Sequence, residues 1–333
     1  MTTSSIERVQ RLPKDLALIA LAIQAGVAVA GIGAQLIWSP YAEDMRRVYA
    51  TAQTLVPMLS SAFVNWAFAA LLTWCFARHA LDRHGPAGLA RPAGARGIFG
   101  VVFLLLVLAQ GYVLAPLVHQ AALSYIQNTA GSMAAAGFVF ALSSVLQLVL
   151  VALIAWFACW LALRRRSGGG SDGGVNASAP AASSSSSSRA AIAWVVGVFF
   201  VCLQMLMSSL FQGWIGMQQA PGAGPLVLGW IVAPLVVLAL TFWGAWMGAR
   251  EAAQPRPLRA IAASALAFVL LQLVCIAIAI AWMLWVLRPG HVDNIVGPAV
   301  GLAVIYVVLM VMLTRSTVVW LYRRVQAAPA VIG

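Results

Sequence analysis

The chain is built from long apolar runs separated by short polar breaks that carry most of its arginines. Crossing the hydrocarbon core of a bilayer as a helix takes about 20 apolar residues. Eight runs reach that length: Leu16–Ile37, Met58–Ala77, Gly97–Val118, Gly137–Leu163, Ala190–Phe211, Leu226–Gly248, Leu258–Leu287 and Ile295–Tyr322. They are continuous rather than alternating with a two-residue period, which excludes a membrane β-barrel. The pattern predicts an all-α fold, a polytopic membrane bundle of about eight transmembrane helices. The first run is longer than the roughly 7–15-residue core of a cleaved signal peptide and reads as a signal anchor.

One break differs from the rest. Ser167–Ser188 holds GGG, GG and a run of six serines, too little apolar surface to fold. This predicts a flexible cytoplasmic linker over 164–189 between two four-helix halves, 16–163 and 190–322. Tails of 1–15 and 323–333 lie outside them.

Composition fixes the solvent. Of 333 residues, 62% are hydrophobic and only 8% charged, and the mean hydropathy is +0.93. Too few polar groups remain to cover such a chain in water, so the lipid bilayer is its first partner. The net charge of +12 does not point to nucleic acid, because the arginines flank apolar runs as topology signals do. Sixteen basic residues fall on one side of the threaded chain, against Arg46, Arg47 and Arg288 on the other. That asymmetry assigns the first side to the cytoplasm, and the even helix count places both termini there. The arginine-for-lysine bias reads as the mark of a GC-rich genome, and the expected location is a bacterial inner membrane.

Two marks recur along the runs. Each even-numbered run ends in a tryptophan followed four residues later by arginine: Trp74 and Arg78, Trp160 and Arg164, Trp246 and Arg250, Trp320 and Arg324. A four-residue step puts both on one helix face, as anchors at the headgroup level. Belt aromatics and positive-inside loops alone explain the residue types, though not the constant spacing. Each odd-numbered run carries a glutamine near its middle: Gln24, Gln110, Gln204 and Gln272. Together the marks allow a parallel internal repeat, although overall identity between the units is poor.

The glutamines are the leading site candidates. An amide in hydrocarbon is costly unless hydrogen-bonded, so each should face the bundle interior. Converging amides would line a path for a small neutral or zwitterionic solute; the plainer reading is interhelical glue. Gln147, and Asn65 with Thr73, could join either arrangement. Arg315 is the one charge drawn into a run. Snorkelling would satisfy it; otherwise it would contact a lipid phosphate or other anion beside Thr314, Ser316 and Thr317.

Other features narrow the classes. All eight carboxylates lie in tails or loops, against a proton-coupled pump. Cys75, Cys159, Cys202 and Cys275 form no CxxC pair and read as small apolar residues. His119, His291, Asp293, Glu43 and Asp44 share the outer side but carry no metal-site spacing. HExxH, GxSxG and P-loop motifs are absent, so neither an enzyme nor a cofactor is expected. Pro116 and Pro234 should kink their helices and free the carbonyls of Tyr112 and Trp230. Small residues at Ala25–Gly26, Ala30–Gly31 and Gly33, and at Gly244 with Gly248, fit close helix packing, in the latter pair within the chain rather than in a dimer. The Trp38–Pro57 loop, with Glu43, Asp44, Arg46 and Arg47, suits a short amphipathic surface helix. The functional expectation is a passive carrier or channel with the glutamines along its path; the alternative is a non-catalytic scaffold or accessory subunit.

Overall fold

The computed structural model describes residues 3–84, 92–128, 133–164, 185–215, 223–252, 256–286 and 296–323. Those residues are helical almost throughout, with no strand among them. The α-helices are α1 (Thr3–Trp38), α2 (Ala42–Tyr49), α3 (Ala52–His84), α4 (Pro92–Ala109), α5 (Ala115–Asn128), α6 (Met133–Leu163), α7 (Ser185–Ile215), α8 (Ala223–Val227), α9 (Ala233–Gly248), α10 (Pro257–Val286) and α11 (Val296–Arg323). Two π-helical turns, Gln110–Leu114 and Leu228–Val232, join α4 to α5 and α8 to α9.

Among the described residues, eight helical stretches are long and apolar enough to cross a membrane, and each coincides with one apolar run. The protein is therefore an all-α, polytopic helix bundle. Its polar linker falls largely on 165–184, which lie outside the described residues.

The chain forms two compact units, Met1–Gly174 with Met205–Ala233, and Val175–Gln204 with Pro234–Gly333. Unit boundaries thus fall inside α7 and before Pro234, as well as in the Gly/Ser segment.

In the first unit α1 packs on α3 and α4, and α6 packs on both of those. Four-residue steps bury one stripe of each helix: Leu12, Leu16 and Ala20 on α1, and Phe99, Phe103 and Val107 on α4. The Phe99 and Phe103 rings stack at 5.3 Å. Arg96 of α4 donates to the Asp15 carboxylate of α1, bridging two helices close to their arginine-rich ends.

In the second unit α7 meets α10 through the Phe200–Phe268 edge contact at 5.4 Å and through Ser264, whose hydroxyl donates to the Val196 carbonyl at 2.9 Å. A Cβ placed on Gly244 would lie 2.8 Å from the Val311 carbonyl oxygen, and one on Gly248 would lie 2.7 Å from that of Arg315. These glycines let α9 rest directly on the backbone of α11, inside the chain as the sequence indicated. The glycines of α1 behave differently. Among the described residues nothing lies within 4 Å of a Cβ on Gly26, Gly31 or Gly33, so the close packing expected there is not found among them. Their positions fall beyond the buried Leu12–Ala20 stripe, where the face of α1 opens.

That opening is general. Among the described residues of both units most buried ones fall in the helix halves beside the arginine-rich ends: Phe68 to Ala77 on α3, Val151 to Ala162 on α6, Ala260 to Leu271 on α10, and Met310 to Val318 on α11. Toward the opposite ends large apolar side chains are exposed, among them Ile37, Leu59, Leu117, Leu284 and Val304.

The Trp38–Pro57 loop contains the expected surface helix, α2. Arg47 pairs with Glu43 at 2.8 Å across one helical turn. Arg46 donates twice to the Leu36 carbonyl, at 2.9 and 3.1 Å, closing the C-terminal end of α1 with a cation where the helix dipole favours one.

Candidate functional site

Two of the four mid-run glutamines meet. Gln204 lies 19 residues into α7, Gln272 15 residues into α10, and Tyr306 10 residues into α11, all near helix centres. Gln272 Nε2 donates to Gln204 Oε1 at 3.2 Å, and the Tyr306 hydroxyl donates to the same oxygen at 2.9 Å. Both lone pairs of one amide oxygen are thereby used. Three helices are tied at one atom by direct contact.

The other two glutamines behave differently. Gln24 on α1 and Gln110 at the head of the first π turn are each half-buried, and no hydrogen bond joins them among the described residues.

A second polar locus lies in the first unit. A cavity of about 70 Å³ is lined by Ser61 and Asn65 of α3, Gln147 of α6, Met205 and Leu206 of α7, and Trp230. Ser61 and Asn65 share a face because they are four residues apart. Gln147 stands 14 residues into a 31-residue helix, at mid-depth. Asn65 and Gln147 therefore come together, while Thr73 does not join them. Thr73 is fully buried two turns away, its hydroxyl without a hydrogen-bond partner among the described residues, and its carbonyl accepts the Cys159 thiol at 3.7 Å.

The prolines explain one wall of this cavity. Each π turn begins six residues before a proline, Gln110 before Pro116 and Leu228 before Pro234. Proline has no N–H to offer the carbonyl four residues back. The preceding residue instead bonds five back: Ala115 N–H to the Gln110 carbonyl, and Ala233 N–H to the Leu228 carbonyl. The Trp230 carbonyl left over by Pro234 receives the Ser60 hydroxyl at 3.4 Å. A π turn is the response to a missing donor within an otherwise continuous helix.

The remaining candidates are placed singly. Arg315 is exposed on α11. Thr314 and Thr317 are buried and donate to the Met310 and Leu313 carbonyls of their own helix, at 2.6 and 2.9 Å. Their hydroxyl protons are thus already engaged within α11.

Of the Trp–Arg pairs, Trp160 and Arg164 touch, with the guanidinium carbon 5.0 Å from the ring centroid. Arg78 turns instead to Asp82, 3.6 Å away, and Trp74 is half-buried. Trp246 stacks on Phe242 at 5.9 Å, and the Arg250 carbonyl accepts from Arg189 at 2.6 Å. Trp320 is exposed, while Arg324 lies outside the described residues. Among the described residues no three His, Cys, Asp or Glu side chains gather as a metal site; His291 and Asp293 lie outside them.

Tyr306, Ser60 and Ser61 were not singled out from sequence. The available signal was depth: a phenol or hydroxyl inside an apolar run needs a partner as an amide does.

No protein-family model matches the chain, and neither the curated proteins nor the solved structures yield a match.

Proposed function

We propose that this protein is a non-catalytic scaffold or accessory subunit of a bacterial inner membrane, with both termini cytoplasmic. The observation that supports the reading is the direct closure of Gln204, Gln272 and Tyr306 on one another. Amides that line a solute path keep their hydrogen-bonding groups free for the solute; here the shared Gln204 oxygen is saturated by protein donors. Interhelical bonds of this kind are worth about 0.6 kcal/mol on average in membranes, and they fix helix register. The arginine asymmetry supports the orientation.

A second reading, a passive carrier or channel for a small neutral or zwitterionic solute, is favoured by one observation, the polar cavity at Asn65 and Gln147. Proteoliposomes separate the two. Under the scaffold reading, efflux of urea, glycerol and glycine equals that of protein-free vesicles, and the Gln110→Leu, Gln272→Leu double variant lowers thermal stability. Flux above background that disappears in an Asn65→Leu, Gln147→Leu double variant would establish the carrier instead. Reporter fusions after Arg166 and at the C-terminus are expected to be cytoplasmic; periplasmic activity at either overturns the topology.

A further inference from the structure

We infer that the cavity between Ser61, Asn65 and Gln147 is a binding site for a small neutral molecule with both hydrogen-bond donors and acceptors, of the class of simple amides. The argument begins with unmet capacity. Each primary amide offers two N–H donors and a carbonyl acceptor. Among the described residues no protein group hydrogen-bonds the side chain of Asn65 or Gln147, and both stand near the middle of long apolar helices. An amide at such depth needs partners, and the hollow that both of them line is where those partners sit.

Charge and size define the occupant. Among the described residues no Lys, Arg, His, Asp or Glu lines the cavity, so an ion would shed its water with no countercharge among them to replace it. One water needs roughly 10–15 Å³ of such space. A cavity of about 70 Å³ therefore takes a handful of waters, or one molecule of about four or five non-hydrogen atoms. Met205, Leu206 and Trp230 supply apolar walls, as small-molecule sites usually have. Ser61 and Gln147 are exposed, which leaves a way in.

The site stands apart from the scaffold reading. Binding without flux leaves that reading intact, and flux would overturn it without touching the site.

The test uses the full chain in lipid nanodiscs and saturation-transfer NMR with acetamide as the probe. A saturable acetamide signal is expected, weakened at least tenfold by Asn65→Leu and by Gln147→Leu, and unchanged by Arg47→Gln. Gln147→Ala, which removes the amide without adding bulk, gives the same loss and covers the case in which a leucine variant fails to fold. Acetate and guanidinium, charged counterparts of acetamide and urea, are expected to give no signal. Three results overturn the proposal: no acetamide signal, which leaves a cavity holding water only; equal signals in wild type and Gln147→Ala; or equal signals from acetamide and acetate.

Discussion

The Tyr306 hydroxyl reaches the Gln204 amide oxygen at 2.9 Å, and the second lone pair of that oxygen is taken by Gln272. Gln204 is thus the shared acceptor of the cluster, and its two partners are each bound to it once.

Unequal effects follow for the three positions. Tyr306→Phe and Gln272→Leu each remove one bond and should cost about 0.6 kcal/mol. Gln204→Leu removes both bonds and strands two donors, so about 1–2 kcal/mol is expected. Equilibrium unfolding in mixed micelles checks the order; equal losses at all three positions would mean that the oxygen is not shared.

The glycines of α9 and α1 should respond in opposite ways to the same change. Gly244→Ala and Gly248→Ala drive a methyl group against the backbone of α11 and should destabilise by about 1–3 kcal/mol. Gly26→Ala and Gly33→Ala meet open space and improve helix propensity, so a change within about 0.5 kcal/mol, or a small gain, is expected. Melting temperatures of the four variants in one detergent decide the matter.

Ser60 and Pro234 should be coupled although they lie on different helices. The long Ser60 bond exists because Pro234 leaves the Trp230 carbonyl without its usual donor. Ser60→Ala should cost about 0.5 kcal/mol in the native chain, at the low end for a hydrogen bond. In a Pro234→Ala background the restored N–H takes the carbonyl, and Ser60→Ala should then be neutral. A double-mutant cycle measures the difference; no coupling would dissociate the serine from the proline.

The eight crossings were legible because length and apolar continuity are local properties of a sequence, and lipid imposes them on each helix separately. The surface helix at Glu43–Arg47 was legible for the same reason, since its ion pair spans one turn. Freed carbonyls could be read from proline chemistry, which named Trp230 before any neighbour was known. What could not be read was partnership. Gln204 and Gln272 are hydrogen-bonded while, among the described residues, Gln24 and Gln110 are not, because pairing depends on how helices rotate about their axes. The same indeterminacy hid Tyr306, a residue whose depth was plain and whose partner was not. It also misled the reading of α1, where small residues allow close approach without compelling it, whereas Gly244 and Gly248 are pressed by a neighbouring backbone.

The crowding of buried side chains beside the arginine-rich ends gives the bilayer unequal roles in its two leaflets. Near those ends helix packs on helix around the buried stripes. Toward the other face, large apolar side chains such as Leu59, Leu117 and Val304 are exposed, a surface that acyl chains of that leaflet are suited to cover. Thickness or unsaturation changed in that leaflet alone should therefore alter helix spacing more than the same change in its opposite.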